Sequence, residues 1–375
     1  MKYTFLLLVF WLTSLIAIAD QPDRRIVDRT RKAIEKSIQL LETTSASTAE
    51  QRKCFTCHGQ AMPVIALVEA RDHGFGVHST NLQRQLDHTA AHLRRGRKSY
   101  QEGKGQGGGV DTAGYALWTL EAGDYSSDEI TEPVLQYLLT ANGSKGPWRC
   151  KSNRPPSESS DYTTTYLAIR ALKYFSEDDD AVDRRLAEAS KWLQQSEPED
   201  TEDRVFQLRS VHYLGIDSPT IENLAKSLVD SQREDGGWAQ KEGMDSDAYA
   251  TGSVLVALAR TEQLDRWPRA KRRAIRFLLR QQAEDGSWHV VTRSKPFQEY
   301  FESSFPHGKD QFISTSATAW ATLALLLSLP TPETQETKES NNDDPPSPAA
   351  ESTRSSEPEN SVLESAETPE VGTEG

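Results

Sequence analysis

The sequence predicts an all-α fold, a ring of helical hairpins, and three observations carry that prediction. First, the chain repeats itself at an offset of fifty residues: Leu228 to Trp238, "LVDSQREDGGW", lies over Leu278 to Trp288, "LLRQQAEDGSW". A weaker copy, Leu138-Leu139 through Gly146-Pro147-Trp148, ends the same way ninety residues before Trp238. Each copy reads as an amphipathic helix entering a polar, glycine-containing turn that a tryptophan closes, and such a period marks repeat architectures. Second, a different kind of helix follows these turns, so rich in small and apolar residues that it must be buried on most sides. Third, about 310 residues lie between two distinctive chain ends, more than one core organises unless it closes into a barrel or ring.

Residues 1–19 read as a signal peptide. Lys2 precedes the apolar run Phe5 to Ile18, and Ala17-Ile18-Ala19 is a small-x-small cleavage pattern. The run is about fourteen residues, short of the roughly twenty that span a bilayer, so an exported chain, periplasmic or secreted, without a stable membrane span is expected. Residues 20–80 read as a helical segment in which helices over 26–41 and 62–71 bracket "CFTCHG", residues 54–59. A helix from Asn81 to Arg94 follows, and residues 81–330 are assigned to the ring.

Within the ring, Gly103 to Gly109, "GKGQGGG", lacks the Gly-Lys-Ser/Thr ending and preceding strand of a phosphate loop and reads as a flexible link into the first inner helix. Inner helices are expected to begin at Asp111, Asp161 and Asp247, with another near Ser314. Helices such as 184–195 and 269–282, charged on one face, lie outside. Asp111, Asp161 and Asp247 are expected as helix caps, each stabilising by ~1 kcal/mol, with the alternative that they face one another across the cavity mouth and raise each other's pKa. Gly236 and Gly286 stand where a helix ends and a positive φ is expected. Residues 331–375 hold twelve Asp or Glu, two Lys or Arg and no aromatic residue, which predicts a disordered acidic tail. That tail carries −10 of the formal −13, so the ring is nearly neutral and shows no basic face for nucleic acid. Three cysteines, Cys54, Cys57 and Cys150, are too few for a disulfide scaffold.

The Gln-to-Gly-x-Trp turns at 232–238 and 282–288 resemble the QW repeats of squalene–hopene cyclases, and the ring resembles the α/α toroid those enzymes share with protein prenyltransferase β subunits. With its signal peptide and "CFTCH" the whole chain resembles exported squalene-cyclase-like proteins of environmental bacteria. The resemblance implies that Trp and Gln staple outer helices together, Trp stacked beside the next helix and Gln capping it. It also implies an apolar small molecule within the ring and, for a cyclase, an Asp-x-Asp-Asp acid. The chain offers Asp245-Ser246-Asp247-Ala248, without the third acid, and Cys150 lacks the companions of a prenyltransferase zinc site. Asp245 and Asp247 are nonetheless candidate catalytic acids. The connection from His289 to Ile313 is about twenty-five residues, longer than ordinary connections. It is expected either to pack over the ring or to roof a central pocket and supply Glu302 or His307, with aromatics at 297, 300, 301 and 305 beside Glu299 and Asp310.

Cys54-Phe55-Thr56-Cys57-His58 has the spacing of covalent c-type haem attachment, two thiols for the vinyl groups and an adjacent histidine for iron. Haem c is therefore the expected cofactor, bound by Cys54, Cys57 and His58, with His58 the proximal ligand. A redox-active disulfide, a zinc site and coincidence are the competing readings. Met62 is too near His58 to reach the opposite haem face, which leaves His88, His92, Met244 and His307 as sixth-ligand candidates. The expected function is an exported haem protein, redox or electron-transferring, with a redox partner protein. The alternatives are an isoprenoid cyclase-like or prenyltransferase-like enzyme and a non-catalytic interaction module.

Overall fold

The computed structural model describes residues 24–177, 179–295 and 300–330. The expected signal peptide and acidic tail lie outside them, as do Phe297 and Glu299. Twelve α-helices run through the described residues: α1 (Arg24–Gln51), α2 (Met62–Asp72), α3 (Ser79–Gln101), α4 (Val110–Ala122), α5 (Glu132–Thr140), α6 (Asp161–Phe175), α7 (Asp180–Gln195), α8 (Thr201–Tyr213), α9 (Ser218–Asp230), α10 (Ala248–Arg260), α11 (Pro268–Gln281) and α12 (Gln311–Leu326). The even-numbered helices form an inner ring, each packed on the next, and α12 returns to α2. Odd-numbered helices wrap the outside, each against an inner neighbour. This is the α/α toroid that the alternation of helix types predicts.

Composition sorts the two layers. In α4 every residue from Val110 to Glu121 is buried, and in α12 every residue but Phe312. By contrast α9 buries only Ile221, Ala225 and Leu228, and α11 only Ala270, Ala274, Ile275, Phe277 and Leu278. Helices apolar all round belong inside and striped ones at the surface. Residues 24–72, expected as a segment leading into the ring, are the ring's first hairpin: α1 packs on both α2 and α12, so it is needed for closure.

The repeated turns share one set of hydrogen bonds. The indole Nε1 of Trp148, Trp238 and Trp288 donates to the carbonyl ten residues earlier, Leu138, Leu228 and Leu278, at 2.8, 2.7 and 2.8 Å. The backbone N–H of each Trp donates to a threonine hydroxyl on the following inner helix, Thr165, Thr251 or Thr318, at 3.0, 2.9 and 3.0 Å. Each buried tryptophan thus ties an outer helix to the inner helix after it, with its polar N–H satisfied. Gln232 and Gln282 do not cap the following helix. Their amides donate to Ala270 and Ala33 carbonyls, both 2.9 Å, and to the glycine carbonyl of their own turn, clamping the turn on the next outer helix. Gly236 and Gly286 have φ of 94° and 92°, as expected for left-handed helix ends.

Of the three aspartates expected as caps, only Asp247 is one. It accepts from Ala250 N at 2.9 Å and begins α10 from a two-residue antiparallel ladder pairing Trp238 with Asp247 and Ala239 with Ser246. Ser160 caps α6 instead, which frees Asp161 to accept from Cys150 N at 2.8 Å. Asp111 lies inside α4 and turns across to Thr164 and to the Cys150 thiol, 3.1 Å away.

The ring axis is filled. Tyr166 and Phe206 rings stand 5.3 Å apart, Trp118 and Tyr166 5.8 Å, and Trp320 lies 6.3 Å from both Trp118 and Phe206. Into this box projects Arg209, only 4% exposed, its guanidinium 4.4 Å from the Tyr166 centroid and 5.0 Å from that of Trp118. An apolar ligand in the axis, the position implied by the resemblance, meets these side chains rather than open space.

Candidate functional site

The six-residue stretch 54–59 is built into the ring. Thr56 opens the turn, its Oγ1 accepting from Gly59 N at 3.2 Å while Gln60 Oε1 accepts from Thr56 N at 3.0 Å, a reciprocal cap. Cys57–Ala61 then make one wide π turn that runs directly into α2; such turns concentrate at functional sites. Gln60 reaches Gln85 on α3 at 3.1 Å, and a Cβ on Gly59 would stand 2.8 Å from the Thr48 hydroxyl of α1. The motif is therefore held from two sides before any ligand is considered.

What it faces is a cavity of about 1040 Å³ at the rim where inner helices begin. Cys54, Phe55, Thr56, Cys57 and His58 form one wall; the starts of α4 and α12 (Thr112, Phe312, Ile313), the glycine loop 105–108 and the segment 152–155 with Glu158 form others. The glycine stretch read as a link is thus also a wall, and its left-handed Gly105 and Gly108 bring backbone against the open volume. The long connection contributes residues 292–295 and Phe301 to the cavity wall, while neither Glu302 nor His307, the residues it was expected to supply to a central pocket, lines the cavity.

Cys54 and Cys57 are both free thiols, the first exposed and the second buried. Burial pushes the Cys57 thiol up to about 12 and holds the His58 imidazole down at about 4, with the Arg154 charge adding to the latter. His58 is therefore neutral, the form that ligates iron. Its Nδ1 lies 3.8 Å from Glu158 Oε1, and Glu158 is paired with Arg154. Arg95, Arg154, Arg293 and Lys295 border the cavity. Arg293 Nε is committed to Gln240 at 2.7 Å, while its buried Nη2 has no partner among the described residues.

Of the sixth-ligand candidates only His92 lines this cavity. It is 8% exposed, its Nε2 has no hydrogen-bond partner among the described residues, and burial holds its pKa down at about 4. His88 sits one turn away with Nε2 at 3.4 Å from the Cys54 carbonyl. Met244 lies in the turn of the two-residue ladder, outside the cavity wall. His307 is drawn away by Ser287 Oγ at 2.7 Å and by stacking on His289 at 4.5 Å. Glu302 is exposed and accepts from Tyr300 OH at 2.7 Å, so the loop does not deliver it to the pocket.

The acids stand apart. Asp245 is exposed; Asp247 is partly buried, its carboxyl raised to about 6 by burial and bonded to Gln240 at 2.9 Å. Asp111 is raised to about 6 and Cys150 to about 12, again by burial. The sequence reading did not single out Glu202, which opens α8, accepts from Thr163 at 2.9 Å and Tyr249 at 3.3 Å, and is lifted to about 8 by burial. Nor did it find Arg154, Glu158 or Arg293, which stand in irregular segments where no periodicity announces burial. Among the described residues no three His, Cys, Asp or Glu side chains gather to hold a bare metal ion. The residues present do fit a haem: two free thiols, a neutral adjacent histidine, a cavity of ligand size and a cationic border for propionates.

Comparison with known proteins bears on the ring. Residues 186–339 match the squalene-hopene cyclase C-terminal domain. No curated protein shows a significant match. Among solved structures, a glycosidase is similar with a TM-score of 0.55 at 11% identity, covering 83% of this chain and 100% of its own. The type II terpene cyclase MstE from Scytonema is similar with a TM-score of 0.52 at 17% identity, covering 81% of this chain and 98% of its own. Likenesses at such identities concern the fold, and the fold is a squalene-cyclase-like α/α toroid.

Proposed function

We propose that the chain is an exported c-type haem protein whose squalene-cyclase-like ring provides the walls of the cofactor pocket, and that it works in redox or electron transfer with a partner protein. The observation that carries this reading is that Cys54, Cys57 and His58, spaced for covalent haem, line the 1040 Å³ cavity at the ring's mouth. Bound haem supplies a one-electron iron couple. Cys54 and Cys57 would anchor it by thioether bonds, His58 would ligate iron, and His92 is the sixth-ligand candidate that lines the same cavity. Arg95, Arg154, Arg293 and Lys295 offer charge-assisted partners for carboxylates. The test is expression with a cytochrome c maturation system. Soret and α-band absorbance retained after acid-acetone extraction, and lost in the double substitution Cys54→Ala and Cys57→Ala, is expected; a colourless protein contradicts it.

A second reading is acid-initiated isoprenoid chemistry. It draws on the cyclase-domain match at 186–339, on the likeness to a terpene cyclase, and on the raised carboxyl of Asp247, which reaches the cavity border through Gln240 and Arg293. Against it, Asp247 is occupied as a helix cap, Asp245 faces solvent, and Arg209 fills the axis with a cation. Cyclised product from squalene by haem-free protein would favour this reading over the first.

A further inference from the structure

We infer that Glu158 is a positioning residue for His58, holding the imidazole through Nδ1 and enriching the electron density of the nitrogen left to face iron. This rests on the haem reading and names a determinant of the haem's potential. Glu158 Oε1 is 3.8 Å from His58 Nδ1, and Glu158 is 1% exposed. A carboxylate is buried so fully only when charges or donors hold it. Here Arg154 takes the other oxygen. The segment that carries both residues is closed on itself: Arg154 N donates to Glu158 O at 2.9 Å and Glu158 N returns to Arg154 O at 3.1 Å. The carboxylate is thus delivered by a fixed turn.

The geometry selects the nitrogen. Because Nδ1 faces the carboxylate, Nε2 is the nitrogen that would be left for iron. At 3.8 Å the neutral imidazole and the carboxylate stand beyond hydrogen-bond distance, a gap that the proposed contact must close. Metal-bound histidines commonly give their second N–H to a carboxylate or carbonyl, which fixes the ring and raises its basicity. A carboxylate is the stronger acceptor. A more basic ligand favours the ferric state, so Glu158 lowers the reduction potential.

Spectroelectrochemical titration of haem-loaded wild type, Glu158→Gln and Glu158→Asp tests this. Both variants are expected to shift to higher potential: the first removes the charge, the second keeps it but withdraws the oxygens from Nδ1 by one methylene. Folding of both variants is checked by far-UV circular dichroism, and the Asp variant, which keeps the charge, is the one that decides between positioning and charge. An Asp variant at the wild-type potential means a plain charge effect and overturns the inference, as do two unmoved variants. A wild type without covalent haem overturns the haem reading as well, and is recognised before any variant is titrated.

Discussion

Gln282 donates its side-chain amide to the Ala33 carbonyl at 2.9 Å, joining the last repeat turn to the first helix across 249 residues of sequence. The same bond occurs internally from Gln232 to Ala270, so ring closure reuses the repeat's own staple. Gly286 lies against this seam with φ 92°, and a Cβ there would stand 2.7 Å from Lys36 O.

The seam predicts an order of effects. Gln282→Ala removes one clamp and should cost ~1 kcal/mol. Gly286→Ala adds left-handed strain of ~1–2 kcal/mol to a clash with backbone that cannot move aside, and should cost more. Urea unfolding of both variants checks the ranking; an alanine at 286 as stable as wild type would contradict the packed seam.

Arg209 provides a second prediction. Arg209→Ala empties the aromatic box and should cost ~2–4 kcal/mol, in the range of large-to-small core substitutions. Arg209→Met keeps volume while removing a buried charge, and such exchanges are often neutral or stabilising. It is expected within ~1 kcal/mol of wild type by the same unfolding measurement. Equal loss in both variants would mean that the cation itself, not the filled volume, holds the axis together.

Glu202 gives the stability a pH dependence. Its folded pKa is raised to about 8 from a reference of 4.5, so the folded state keeps a proton that the unfolded chain releases. Between those values each rise in pH therefore costs stability, and above about 8 the penalty is complete. Glu202→Gln removes the titration. The variant should match or exceed wild type at pH 8.5 and lose that relative advantage at pH 4, where wild type is protonated in both states. Chemical denaturation midpoints at the two pH values decide it.

Much of the ring was legible because burial writes itself into helix composition. The small-residue runs around Asp111, Asp161 and Asp247 are inner helices, and the tryptophan turns are staples. The caps were harder. Ser160 takes the role expected of Asp161, since a serine one residue earlier is equally able and sequence does not rank them. The Cys54-x-x-Cys57-His58 spacing was visible, but its surroundings were not: Arg154, Glu158, Arg293 and the glycine loop meet there only through ring closure. Glu302 and His307 failed to reach the pocket because Tyr300 and Ser287 hold them elsewhere, contacts that a loop sequence does not disclose.

His92 is the sixth-ligand candidate that lines the cavity, with an unpartnered Nε2. If it meets iron, His92→Ala retains covalent haem and shifts the ferric absorption from a low-spin to a high-spin pattern. An unchanged ferric spectrum assigns the position to another group.

The most direct measurement is the intact mass of mature protein produced beside a haem-ligation system. The account predicts the polypeptide plus one iron porphyrin, and an unaugmented polypeptide once Cys54 and Cys57 are both alanine. A wild-type mass equal to the bare chain would contradict it.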